Sequence, residues 1–402
     1  MKSFLLLLAF AAPVTILRGQ DSTSSAPDTS YSDYHESPIS LPLGVGLRIP
    51  SYDRVNGLAL PWGPQLNVGD EVLQADALVT YRSNLGKWDP SLEAYLRPGD
   101  NNELKLSAGR GTYTNDSWIQ SDFANSIAAI GVGSDTRNYY RGDRAAARFT
   151  RRIATNTLTV TPFVGGNIER DWSTGSIAPL KSPWSFFGRK GILKMRRPNP
   201  RVEKGKIGSI LGGTGVELVS GGVDAKLDVG VEHALSSSLV ADCSGFLTDA
   251  ACRAVGQKFT QVTLHAKALF PTFGTQTFSF LGHLVWTGSD AAPPQRFAYL
   301  GGSGTLATVD LLALGGDRLL YLRADYNVPI DKVSLPYLGS PFIDLRYAAG
   351  NAGEGALPAL IQNLGIGIGV GFFRADYTID PASSRSPFSR RSDFSIGVSL
   401  PL

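Results

Sequence analysis

The chain has 402 residues, with 38 Lys and Arg against 35 Asp and Glu and a formal charge of +3. So even a balance makes no case for nucleic acid as a partner, which needs a dense basic surface. Two cysteines cannot staple a scaffold of this length, and after the N-terminus no run of about eighteen apolar residues offers a membrane-spanning helix.

The N-terminus reads as an export signal. Lys2 supplies the positive charge and Phe4 to Leu17 is an apolar stretch too short to cross a bilayer as a helix. Gly19 is a small residue where cleavage fits, so 1–19 is assigned to the signal peptide. No Cys stands there to carry a lipid anchor. Residues 20–41, rich in Ser, Asp, Thr and Pro, read as a flexible leader. The rest, 42–402, reads as one barrel.

That reading comes from period two. In DAKLDVGVE, Ala225, Leu227, Val229 and Val231 fall on one face, and Asp224, Lys226, Asp228 and Glu232 on the other. QVTLHAKALF from Gln261, LLYLRADYNV from Leu319 and DFSIGVSLPL from Asp393 alternate likewise. Alternation over about ten residues, apolar on one face and charged or Gly-rich on the other, is the pattern of a transmembrane β-strand. A soluble β-sandwich also alternates. The export signal and the aromatics near strand ends (Phe270, Phe278, Trp286, Tyr326) favour the barrel. The fold class expected is all-β, a transmembrane antiparallel barrel of about sixteen strands with long external loops.

In chain order the strands are expected at 42–49, 56–66, 72–83, 90–97, 102–112, 144–152, 157–169, 205–219, 222–234, 258–270, 273–287, 315–328, 339–348, 363–370, 373–379 and 391–402. Connection length tests the count. The connections at 113–143, 170–204, 235–257 and 288–314 are long; those at 153–156, Gly221–Gly222 and Pro271–Phe273 are short. They alternate as external loops and periplasmic turns should. The last strands keep this parity only if LGIGIGVGFFRADYTID is split at Gly371–Phe372.

Within the loops, Asp116 to Ile130 has the composition of a short helix that an Asp or Ser can cap. Arg189 to Lys206 carries eight Lys or Arg and one Glu, which suits either anionic lipid headgroups or a solvated loop. Cys243 and Cys252 bracket a short polar stretch and are expected to form a loop disulfide. On the inner face, Arg323 and Asp344 fall on neighbouring strands and are expected to pair across the hairpin. His265 and His283 share the inner parity of adjacent strands. Neither lies in a nucleophile motif, and no carboxylate or Cys partner for a metal stands out, so no enzyme activity, metal or cofactor is expected.

Several segments of the last third resemble the BamA/TamA-type bacterial surface antigen superfamily. They are PPQRFAYLGGSGTL (293–306), LGGDRLLYLRADYNVPI (314–330), FIDLRYAAGNAG (342–353), GFFRADYTID (371–380) and SDFSIGVSLPL at the end; YDRVNGLAL (52–60) resembles an opening strand of the group. The resemblance implies a sixteen-stranded barrel in the outer membrane of a Gram-negative-type bacterium. It implies a role in inserting or translocating protein or lipid there, with outer-membrane lipids and client outer-membrane proteins as partners. It also implies an inward loop around Arg296, Phe297, Gly301, Gly302 and Gly304, and a weak seam at the last strand, with Phe394, Ile396, Val398 and Leu400. Two departures stand out. No POTRA segment is recognised, so the chain reads as a member reduced to the barrel. The place of the family's Arg-Gly-aromatic tip reads Leu306-Ala307-Thr308-Val309. A passive diffusion pore and a structural or surface-contact barrel remain the alternatives.

Overall fold

The computed structural model describes residues 39–69, 72–174, 185–186, 197–240, 258–288, 290–333, 335–336, 338–371, 373–382 and 388–398. Cys243 and Cys252, residues 1–19 and Leu400 lie outside them, as do residues 189–196 of the basic run.

The alternating segments become one antiparallel sheet. Its staves are β1 (Ile39–Ser40 and Ser51–Asp53), β2 (Gly57–Trp62 and Gln65–Val68), β3 (Leu73–Arg82), β4 (Lys87–Leu96), β5 (Asn102–Tyr113), β6 (Tyr140–Arg151), β7 (Leu158–Ser173) and β8 (Lys204–Ser220). They continue as β9 (Val223–Val240), β10 (Thr260–Pro271), β11 (Thr277–Thr287), β12 (Arg318–Pro329), β13 (Pro341–Gly353), β14 (Ile361–Val370), β15 (Phe373–Ile379) and β16 (Ser392–Val398). Each pairs with the next, so the sequential order is also the order around the wall. A pairing of β1 with β16 is not among those of the described residues.

Register fixes which way each face points. Val164, Ile168, Ile366, Ile368 and Ile396 stand on the outer face, with Ile396 73% exposed. In water such a band would be untenable; against lipid chains it displaces nothing that needs a hydrogen bond. The chain is a transmembrane β-barrel, and among the described residues no helix is long and apolar enough to cross a membrane. The main buried apolar cluster lies inside the barrel, where Leu300, Leu306 and Val309 of the β11–β12 connection pack on Val285, Leu319, Tyr321, Ala348, Ala352 and Ile361 of the wall.

The long connections fall after β5, β7, β9 and β11, as parity requires. Gly371, at φ +58°, supplies the left-handed turn between β14 and β15, and Val370 pairs with Phe373 across it.

Two expectations are corrected. The strand expected at 42–49 is broken by a 3-10 turn at Pro42–Gly44, where Leu43 takes φ 55°. Pro42 has no N–H to give a ladder. Only Ile39, Ser40 and Leu47 of this stretch pair with β2, and Arg48 bridges the gap through the Gly63 carbonyl (3.2 Å) and Asp76 (2.6 Å). The helix expected from Asp116 is α1, Asp122–Val132. Ser121 caps it, its hydroxyl accepting the Ala124 N–H at 3.3 Å, and Gly133 ends it at φ 64°. Asp116 is committed elsewhere: its carboxylate accepts the Asn138 N–H at 2.7 Å.

Candidate functional site: a plugged lumen tied to both ends of the wall

The connection between β11 and β12 folds into the lumen. It runs through a 3-10 turn at Pro294–Arg296 and a two-stranded hairpin, Ala298–Leu300 against Leu314–Gly316. Gly301 makes the reversal possible. It sits at φ +125°, and a Cβ there would lie 2.0 Å from the Asp310 carbonyl oxygen. Gly302 also has positive φ, and Gly304 lies against Ile119 of the β5–β6 connection. Leu300 and Leu306 are fully buried, so this segment is a packed plug.

One end of the plug is held by charge. The Arg296 guanidinium pairs with Glu169 of β7 and donates to Glu232 of β9 at 2.8 and 2.9 Å. Its side chain is 9% exposed and that of Glu169 is wholly buried. Arg144 of β6 reaches Glu169 from the other side at 2.8 Å. Beside Arg296, Phe297 is buried and its carbonyl accepts from the Asn115 amide at 3.0 Å; the same amide donates to the Gln295 carbonyl at 2.7 Å. The Gln261 amide donates to the Arg296 carbonyl at 3.2 Å. The tip position lacks an arginine, and Arg296 bonds the lumen carboxylates from a place upstream of it. Nothing in the sequence ties Arg296 to acids so far away along the chain.

The other end is held by backbone. The Thr308 N–H donates to Asn363 of β14 at 3.1 Å, and the Asn363 amide donates back to the Thr308 hydroxyl at 2.7 Å. Val309 forms a β-bridge with Ser389, flanked by Asp310 N–H to the Phe388 carbonyl (2.9 Å) and Arg390 N–H to the Thr308 carbonyl (2.7 Å). Arg390 and Asp310 also form an ion pair. Residues 388–390 stand immediately before β16.

A cap of external connections holds the opening hairpin. At the β1–β2 tip Arg54 is 1% exposed. It donates to the carbonyls of Arg197 (2.5 Å) and Arg137 (3.0 Å) and to Asn199, while its own N–H goes to Asp135 at 3.0 Å. The Tyr52 N–H donates to Ser126 of α1 at 3.1 Å. Burial pushes the Asp116 carboxyl up to about 7, against the opposing pull of the Asn138 N–H. Burial also brings the Arg197 guanidinium down to about 10.

Below the plug the inner wall of β12–β15 carries a chain of alternating charges. Arg323 donates to Asp325 (2.5 Å), Asp325 accepts from Arg346 (2.6 Å), Asp344 pairs with Arg374, and Arg374 donates to Asp376 (2.6 Å). The intervening stave β14 presents Gly365 and Gly367 here. A Cβ on Gly367 would come within 2.5 Å of Asp376 and 3.0 Å of Arg374, so the missing side chain is what lets Arg374 reach Asp344. The expected Arg323–Asp344 pair does not form. Arg323 faces Ala348 in register and Asp344 faces Asn327, and each takes another partner in the same network.

On β16, Phe394 and Ile396 point outward and are 64% and 73% exposed, and this stave pairs with β15. The backbone of Val398 pairs with Phe373. His265 and His283 do meet, directly opposite one another on β10 and β11.

No protein-family model matches the chain, and no curated protein matches it in sequence. Among solved structures it is similar to CdiB from Escherichia coli, at 12% identity and a TM-score of 0.47 over 90% of this chain and 63% of that one. It is also similar to CdiB from Acinetobacter baumannii, at 14% identity and a TM-score of 0.44 over 87% of this chain and 58% of that one. The chain thus spans less than two thirds of the length of either. At these identities and scores neither assigns a function to it.

Proposed function

We propose that the chain is an outer-membrane barrel of a Gram-negative-type bacterium that inserts or translocates polypeptide or lipid, with the 288–317 plug as its gate. The resemblance to the BamA/TamA-type superfamily implies this role, and one observation supports it above the rest. The plug is fastened on one side to β7 and β9 through Arg296 and on the other to the residues leading into β16. Withdrawing it would clear the lumen and loosen the approach to the last stave together. A terminal stave freed in this way has unpaired N–H and C=O groups that can template an incoming strand. The broken β1 fits the same role, because a stave with few ladder bonds holds a seam weakly. Outer-membrane lipids surround the barrel in this reading, and client outer-membrane proteins are its substrates.

The test is deletion of the gene with quantification of the outer-membrane proteome and lipids. Loss of other barrels, or of one defined client, is the expected result. An unchanged proteome and lipid composition refutes the proposal. A passive pore is the second reading; it requires steady conductance from the purified chain, which a buried, hydrogen-bonded plug opposes.

A further inference from the structure

The plug, the cap and the charge chain leave one inner-wall cluster unused. His265 and His283 face each other across β10 and β11, with ring centroids 5.5 Å apart. Directly opposed side chains on antiparallel strands have Cβ atoms about 4.5–5.5 Å apart, a spacing at which two imidazoles can reach one ion. The Nδ1 atoms of both rings are shielded from solvent and have no hydrogen-bond partner. An orphaned buried nitrogen is costly, and here there are two on neighbouring rings. The row through them reads Gly215, Asp228, His265, His283, Tyr321 and Gly350 on successive staves from β8 to β13. Asp228 sets a carboxylate position next to His265 in that row. Over His283 lies the indole of Trp118, with centroids 4.1 Å apart and planes 18° from parallel. Trp118 comes from the β5–β6 connection and not from the wall, and it packs against the main buried cluster.

We propose that His265 and His283 bind a divalent transition-metal ion of the imidazole-preferring class, Zn²⁺, Ni²⁺ or Cu²⁺, on the inner wall beneath Trp118. Neutral imidazole is a common ligand of these ions, and two rings on rigid neighbouring strands need little reorganisation to chelate one. Among the described residues no group of three or more His, Cys, Asp or Glu gathers to hold a metal. The protein therefore supplies two ligands and water the remainder. Such a site exchanges its ion; it is not a structural centre of the closed, four-ligand kind. The stacked indole makes it self-reporting, because a paramagnetic ion bound at His283 quenches Trp118.

The test uses the purified full-length chain, stripped with chelator and held in detergent micelles. Ni²⁺ is titrated while tryptophan emission is followed, and Zn²⁺ is then added as a competitor. The expected result is saturable quenching that Zn²⁺ reverses and that the Trp118→Phe variant lacks. Calorimetry should give one bound ion, lost in His265→Gln and in His283→Gln and kept in His233→Gln, which alters an exposed histidine away from the pair. Heat-modifiable gel mobility shows whether each variant is a folded barrel. Should the histidine variants not fold, Cu²⁺ electron paramagnetic resonance on the wild-type chain decides: two equatorial nitrogens support the site, and one or none overturns it. Absence of saturable binding in the wild type, or binding that survives in the folded histidine variants, also overturns it.

Discussion

Replacing Arg296 with Ala tests the plug most directly. The guanidinium is 9% exposed and meets two acids, one wholly buried and the other 15% exposed. Removing one member of a buried ion pair leaves an uncompensated charge in a poorly solvated place and costs about 3–5 kcal/mol. Arg144 still reaches Glu169, so the lower figure is the better expectation. That energy stabilises the docked plug against the withdrawn one. At about 1.4 kcal/mol per tenfold change, a loss of about 3 kcal/mol raises the open-to-closed ratio about a hundredfold. Single-channel recording in planar bilayers reads this directly: brief, rare openings in the wild type should become long-lived conductance in Arg296→Ala. Adding Glu232→Gln to Arg296→Ala should bring closure part of the way back, because the acid left without its partner is then neutral, while Glu169 stays paired with Arg144. If Arg296→Ala and the wild type give indistinguishable traces, the plug is not held by this pair and the reasoning fails.

Three further outcomes follow from the geometry. Arg54→Ala removes donors from two carbonyls and an amide oxygen, each bond to a charged donor being worth about 1.5–3 kcal/mol, so amide exchange in α1 should rise by more than tenfold; unchanged exchange would show that the cap does not depend on Arg54. Gly367→Val places atoms where Arg374 and Asp376 now lie, which should part Arg374 from Asp344 at a cost of about 1–3 kcal/mol and lower the heat-modifiability midpoint; an unshifted midpoint counts against the charge chain as a stabiliser. For pH, the buried Asp116 carboxyl binds its proton more tightly in the folded cap, at about 7, than its ordinary 3.8. Its contribution to cap stability is full below about pH 4 and is lost as pH rises through about 7. Exchange in α1 should therefore quicken from pH 5 to pH 8 beyond its intrinsic rise, and Asp116→Asn should abolish the excess.

Much of the wall was legible from the sequence because a barrel strand repeats one rule. Inner and outer residues alternate, so DAKLDVGVE or QVTLHAKALF shows its face without knowledge of its neighbours, and the split at Gly371 could be placed from parity alone. The first stave resisted because its break depends on Pro42 and on a left-handed Leu43, a conformation that no pattern announces. Asp116 has the chemistry of a helix cap, but of the Asp and Ser candidates it is Ser121 that caps α1; what decides the role of Asp116 is Asn138, on the far side of the helix. Arg323 and Asp344 fall on neighbouring strands, but the hairpin's register sets Arg323 opposite Ala348 and Asp344 opposite Asn327, so each takes a different partner. The plug's anchors were hidden for the same reason. Glu169 and Glu232 lie on staves remote from Arg296 in sequence, and only the inward fold of the β11–β12 connection brings all three together.

The two fastenings of the plug also set a length. Arg296 and Thr308 are each fixed to a different sector of a rigid wall, so the chain between them is a cord cut to measure. Residues added within the Leu300–Leu306 reversal give that cord slack, and residues removed put it in tension. Slack lets each end let go without the other; tension pulls Phe388–Arg390 toward the lumen axis. Insertions and deletions there would therefore separate what substitutions cannot: whether the gate and the last stave move as one body or as two.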